Sequence, residues 1–274
     1  MPIVFTRSFL GQRYIGMPPL TRTLGPTFTR VSPGSELSDR AQFRLLRELI
    51  AKLPDIIGFD QTFDPQCNSL LAFQVSGFSI GVHYTFRLEN CSDSGAIWKG
   101  MRDKTRNEIR RSEEYLRVVR SPDIATFVEF YETNLRRSGH SMIPERCCMK
   151  KILEAIVTNN SGEPMLCFTA EGNLLAAIFV VWDDRYYYYL LSTRDERVAG
   201  NGALSLLVWN ALQLAGQANL GFDFDGFKTY GSANFLRQFG GRAVPRWKVL
   251  RRSWLIRAAL LFRPLNENSL ARID

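Results

Sequence analysis

Apolar residues recur at helical spacing through Phe43, Leu45, Leu46, Leu49 and Ile50. Ser38 or Asp39 stands where an N-cap is needed, so the pattern predicts a helix to about Ala51. The first 35 residues carry several Pro and Gly and little periodicity apart from the segment 17–26, and read as an extended, structured loop. Runs of β-branched, aromatic and aliphatic residues at 56–59, 70–75 and 81–88, separated by turn-forming residues, read as three strands. Helical period returns from about Ser94 to Tyr115. There Trp98, Met101, Thr105, Ile109, Ser112 and Leu116 form one stripe, while Arg102, Arg106 and Arg110 recur on its neighbour. Eight basic residues against four acidic ones lie from Trp98 to Arg120. This charge reads either as a solvated face paired with Glu108, Glu113 and Glu114, or as a set of arginines that meets an anionic substrate.

The pattern then predicts a short strand at Val118 and Val119 and a helix capped by Ser121, with Pro122 in its first turn, running to about Arg137. A second helix runs from Pro144 to about Val157, followed by strands at 164–169, 174–182 and 186–191. A helix at 204–214, a strand at 220–224, a helix at 230–239 ended by Gly240 and Gly241, and a strand at 242–250 complete the order. Each half runs from helix to several strands, which permits a degenerate duplication although no exact repeat is visible.

Composition narrows the function classes. With 45% hydrophobic residues in 274, the chain has material for a substantial core and is not disordered. No apolar run approaches the roughly 20 residues of a membrane span, and no secretory pattern opens the sequence, so a cytoplasmic protein is expected. Five cysteines without zinc-like spacing read as reduced and mostly buried, and the two histidines, His83 and His140, leave metal catalysis disfavoured. The net charge of +8 calls for an anionic partner, equally a CoA ester, RNA, an anionic lipid surface or an acidic sugar.

Candidate chemistry centres on Arg197, Gly200, Asn201, Gly202 and Ala203, which join a Tyr-rich strand to an apolar helix. Two glycines let the backbone turn closely round an anion, the free N–H groups of the helix point at it, and Arg197 adds a charged donor fork. A phosphate is therefore expected at this junction.

The order helix, helix, three strands, phosphate-type loop, helix, strand, helix, strand resembles the GCN5-related N-acyltransferase (GNAT) fold, and the loop looks like its acyl-CoA pyrophosphate motif. Phe222-Asp223-Phe224-Asp225-Gly226 with the segment Asn234-Phe235-Leu236-Arg237-Gln238-Phe239-Gly240-Gly241 is similar to the signature of the Fem-like branch. That branch includes peptidoglycan aminoacyltransferases and a group of bacterial proteins that are described as acetyltransferases or are associated with polysaccharide synthesis. The segment from Trp98 to Glu113 and the opening Pro18-Pro19-Leu20-Thr21 resemble the latter group.

The resemblance implies an α/β (α+β) chain of tandem GNAT-like units, with mixed, mostly antiparallel sheets flanked by helices. It divides the chain into an incomplete first unit at 1–95, an Arg-rich bridging helix at 96–117, an acyltransferase domain at 118–250 and a basic amphipathic tail at 251–274. Acyl-CoA is the implied donor, with Asn234 beside it. Leu236 departs from the Lys that peptidoglycan aminoacyltransferases often carry at this place, which disfavours tRNA.

Acyl transfer to an amine needs an aligned donor, a proton acceptor, a stabilised oxyanion and a protonated leaving thiolate. Backbone N–H groups at Leu191, Ser192 and Thr193 suit the carbonyl or the pantetheine arm. Asp223 and Asp225, two apart on a strand, share a face and suit the amine. Tyr230 suits the thiolate, with Tyr187 and Tyr189 as competitors. Arg106, Arg110 and Arg237 suit an acceptor bearing phosphate or carboxylate. The segment 247–263 has five cations, no acid and interleaved apolar residues. It reads as a helix that either lies on the inner face of an anionic membrane or packs on the core.

The expected function is therefore an N-acyltransferase moving an acyl group, acetyl first, from acyl-CoA to an amine of a sugar or cell-envelope precursor. The alternatives are an aminoacyl-tRNA-dependent Fem-type transferase and a non-catalytic GNAT-like module of an envelope-polysaccharide system. No DNA partner is expected.

Overall fold

The computed structural model describes residues 1–7, 13–28, 37–54, 56–67, 69–121, 123–140, 146–198, 200, 202–227 and 229–253. In chain order its elements are β1 (Val4–Arg7), β2 (Arg13–Gly16), α1 (Asp39–Ala51), β3 (Gly58–Phe63), α2 (Leu70–Val75) and β4 (Ser79–Leu88). There follow α3 (Ser94–Gly100), α4 (Asp103–Glu113), β5 (Leu116–Arg120), α5 (Ile124–Arg137), α6 (Arg146–Thr158), β6 (Gly162–Thr169), β7 (Leu174–Trp182) and β8 (Tyr186–Arg194). The last are α7 (Ala203–Gln217), β9 (Gly221–Gly226), α8 (Tyr230–Arg237) and β10 (Arg242–Arg252). The chain gathers into two compact units, Met1–Tyr84 with the residues from Val244 onward, and Thr85–Ala243.

In the first unit β1 and β2 pair antiparallel, β2 and β3 parallel, and β3 and β10 antiparallel in the register Trp247↔Phe63 to Arg252↔Gly58. Leu46 and Ile50 of α1 bury against Ile15, Phe59, Phe63 and Val249, as the helical stripe requires. Phe73 and Phe78 meet edge to face at 5.3 Å. The run 70–75, expected as a strand, is the helix α2. Ala72 and Phe73 are buried while Leu71 and Val75 are 59% exposed. A six-residue apolar run fits either period, and packing on α1 decides it. The opening loop also contains β1 and β2.

In the second unit the strand order is β4, β9, β8, β7, β6, β5, with only β8 and β9 parallel. Ile178 and Val180 of β7 pack in one cluster with Leu207, Val208 and Ala211 of α7. The alternate residue, Phe179, meets Phe127 of α5 at 5.5 Å. The sheet is thus covered on both faces, because alternate strand residues point opposite ways. The helix expected at 94–115 is two, α3 and α4, interrupted where Met101 and Arg102 are extended. The N–H of Arg102 is taken by the Gln238 carbonyl at 3.0 Å, which removes it from any helical ladder. Asp123, not Ser121, caps α5, accepting the N–H groups of Ala125 and Thr126. Cys91 and Cys167 are buried, but Cys147 and Cys148 on α6 are exposed, so burial is less general than expected. Residues 247–252 belong to β10, so a basic helix does not begin at Trp247; positions 254–263 lie outside the described residues.

Candidate active site

The second unit brings the expected residues to the end of β8 and its surroundings. The parallel ladder of β8 and β9 runs Tyr186↔Gly221, Tyr187↔Phe222, Tyr188↔Asp223 and stops there. β8 continues to Arg194 on its other neighbour, where Ala176 faces it. On that side Phe179 pairs with Leu191 and Val180 with Tyr189, so Leu190 is an extra residue and forms a bulge. β8 and β9 therefore part as a fork. Two residues beyond the last pair stand Leu190 on one arm and Asp225 on the other. Asp225 has φ +60, a left-handed conformation that Asp tolerates better than most residues, and with Phe224 it forms a bulge in β9 opposite Phe86, before Gly226 pairs with Thr85.

Asp223 is fully buried. Its Oδ2 accepts from Arg87 Nε at 2.6 Å, and its Oδ1 accepts from Thr85 Oγ1 at 2.5 Å and from the Asp225 N–H at 2.8 Å. The Thr85 hydroxyl also lies 2.9 Å from the Asp225 carbonyl. Arg87 stacks over the Tyr186 ring at 4.5 Å. β4 delivers Thr85 and Arg87 beside β9, where Arg87 pairs with Asp223 in register. Neither residue stood out in the sequence, since nothing local marks a pairing across about 140 residues.

Past β8, buried Asp195 gathers the loop. It accepts the Arg197 N–H at 3.0 Å and the Arg197 guanidinium through Nε at 2.9 Å and Nη2 at 2.5 Å, with Arg137 of α5 at 3.8 Å. Hydrogen bonding to the Arg197 guanidinium is the main reason its carboxyl falls to about 2. A cavity of about 310 Å3 opens beside it, lined by Arg137, Arg197, Phe130 and Thr133 among others. Gly200 and Gly202 take φ +74 and +65, and Gly202 caps α7. Ala199 and Asn201 lie outside the described residues. A Cβ on Gly202 would stand 2.1 Å from Ser112 Oγ and 2.8 Å from Glu108 Cγ, so α4 seats directly on this glycine. Glu108 does not sit in a solvated ion-pair lattice. Its Oε2 accepts from Ser205 Oγ at 2.9 Å, in the first turn of α7.

The other expected residues divide. Leu191 and Thr193 are buried, Thr193 Oγ1 accepting from Asn134 Nδ2 at 3.0 Å, and Ser192 is half-buried. Ala203 is buried as the first residue of α7. Tyr187 stacks on Trp182 at 5.0 Å, and Tyr189 is core, its phenol pushed up mainly by burial. Tyr230 opens α8 and is 83% exposed, while Asn234 is half-buried one turn later. Arg237 is exposed in the last turn of α8. Arg106 donates to the carbonyls of Trp98, Lys99 and Met101 and pairs with Asp103, closing the end of α3. Arg110 lies over the Trp98 ring at 5.3 Å.

A parallel strand pair that parts opposite a bulge, followed by a glycine loop and a capped helix, defines a GNAT-type acyltransferase fold. Residues 99–235 match the acetyltransferase (GNAT) domain model, and the chain belongs to that family. No curated protein matches the chain in sequence. FemX is similar at a TM-score of 0.67 and 12% identity, over 90% of this chain and 83% of its own. The C-terminal domain of a putative lysylphosphatidylglycerol synthetase from Agrobacterium fabrum gives 0.58 and 12%, over 94% and 87%. L-PGS from Bacillus licheniformis gives 0.53 and 12%, over 94% and 88%. At 12% identity these likenesses are of fold. Among the described residues, no helix is long and apolar enough to cross a membrane.

Proposed function

We propose that this protein is an N-acyltransferase moving an acyl group, acetyl in the simplest case, from acyl-CoA to an amine of a sugar or cell-envelope precursor. The observation that carries this reading is the parting of β8 and β9 after Tyr188↔Asp223, opposite the bulge at Leu190. A thioester laid along β8 in that fork meets strand backbone at Leu191, Ser192 and Thr193. Its pyrophosphate then falls to Arg197, Gly200, Asn201, Gly202 and Ala203 at the start of α7, and Asn234 of α8 is assigned to the donor as well. The amine nitrogen attacks the carbonyl carbon, the C–S bond breaks, the amine proton passes to Asp225, and Tyr230 protonates the thiolate. Asp223, enclosed by its donors, supports Asp225 in this scheme. With Arg106 engaged at the end of α3, acceptor binding falls to Arg110 and Arg237, and Tyr187 and Tyr189 serve as walls.

A second reading, a Fem-type transferase drawing on aminoacyl-tRNA, gains from one observation that weighs against a CoA pyrophosphate at α7. The Glu108 carboxylate already stands at the first turn of α7, where a pyrophosphate is to sit. Titration calorimetry separates the two. The first reading expects acetyl-CoA to bind and Gly202→Glu to abolish binding. Absence of binding by any CoA ester, with aminoacyl-tRNA bound in a steeply salt-dependent way, moves the assignment to the second. Neither donor binding leaves the non-catalytic envelope module.

A further inference from the structure

Asp225 has an uncommon backbone conformation, and both of its backbone polar groups are held by side chains. Its N–H donates to Asp223 Oδ1 at 2.8 Å, and the Thr85 hydroxyl lies 2.9 Å from its carbonyl oxygen and 2.5 Å from the same Asp223 Oδ1. Arg87 fixes the other oxygen of Asp223 at 2.6 Å. Thr85 and Asp223 are wholly buried and Arg87 is 2% exposed, so water does not compete for these bonds. The β4–β9 register shifts between Thr85 and Arg87, and this shift brings both side chains to the end of β9. A buried threonine and a buried ion pair are more than a bulge requires, since a glycine at its left-handed position would form it without help.

We infer that Thr85, Asp223 and Arg87 form a clamp whose role is to hold Asp225 in its left-handed conformation, so that its carboxylate is presented at the fork of β8 and β9. Thr85 is the positioning residue at its centre, because its single hydroxyl lies within reach of both Asp223 and the Asp225 carbonyl. This rests on the acyltransferase reading, in which Asp225 takes the proton of the attacking amine. Misplacing that group by about an ångström costs turnover on the order of 10²-fold while leaving donor binding intact.

The test compares Thr85→Val, which keeps the branched shape and removes the hydroxyl, with Thr85→Ser, which keeps the hydroxyl. Amide hydrogen exchange of the segment 223–227 is followed by mass spectrometry, and acetyl transfer from acetyl-CoA is followed by thiol release against a panel of amines. The expected result is exchange about tenfold faster in Thr85→Val, the loss of one or two buried hydrogen bonds. Turnover falls on the order of 10²-fold with the acetyl-CoA KM unchanged, and Thr85→Ser restores both. Unchanged exchange in Thr85→Val overturns the clamp, and so does faster exchange with unchanged turnover. A wild-type protein that acetylates no amine sinks the acyltransferase reading instead, while the exchange at 223–227 still decides whether Thr85 holds the turn.

Discussion

At Gly202 a left-handed φ and the absence of room for a Cβ coincide. An alanine there takes a conformation costing roughly 1–2 kcal/mol and pushes on Ser112 and Glu108 as overpacking does, about 1–3 kcal/mol more. Gly202→Ala is therefore expected to lose about 2–5 kcal/mol of stability, read from urea unfolding, and a loss below about 0.5 kcal/mol contradicts the packing of α4 on this glycine. Asp195 makes a prediction in pH. Its folded value of about 2 lies below the ordinary 3.8, chiefly through the Arg197 guanidinium, so its contribution is present above about pH 4 and is lost as pH falls toward 2. Stability of Asp195→Asn measured between pH 5 and 2 is expected to fall less steeply than that of the wild type. Parallel curves would show that the Arg197 pair does not persist in solution.

At the scale of elements, α4 ties the site together through polar contacts. Thr105 donates to Gln238 at 2.9 Å beyond the end of α8, and Glu108 accepts from Ser205 on α7. An internal carboxylate at the positive end of α7 complements the helix dipole and opposes a second anion. Glu108→Gln keeps the shape and the Ser205 contact but removes the charge. Acetyl-CoA is expected to bind it about fivefold more tightly than the wild type, by calorimetry at low salt. Equal affinity in a protein that binds CoA would place the pyrophosphate away from this turn. The same helix shows why a periodic pattern can mislead. The stripe from Trp98 to Leu116 is continuous in sequence, yet α3 and α4 separate because the chain beyond α8 claims the Arg102 N–H. Similarly, Arg106 looked available for a ligand from its spacing and is occupied by the Trp98, Lys99 and Met101 carbonyls at the end of α3.

At the scale of the whole molecule, donor binding is expected to raise the melting temperature. Saturation near 100 times Kd contributes about 2.7 kcal/mol, which for a chain of this size is a shift of several degrees. Scanning fluorimetry with acetyl-CoA, CoA and free pantetheine reads it. A shift with CoA and none with pantetheine assigns the binding energy to the phosphate end, and no shift with any of them removes CoA as donor.

The sequence by itself determined the order of elements from β5 to β10, because amphipathic period and turn-forming residues are local. β7 falls at 174–182 as its apolar run requires, and α7 begins directly after the glycine loop. It also singled out Asp223, Asp225 and Gly202 as candidates, by residue type and spacing alone. Tertiary structure alone decided that 70–75 is helical and that both carboxylates of the pair are buried, Asp223 fully and Asp225 at 4% exposure. It also decided that Glu108 reaches Ser205 and that Thr85 and Arg87 hold the end of β9. Each of these depends on groups far apart in the chain, and a buried donor finds its acceptor only when the strands and helices that carry them are packed.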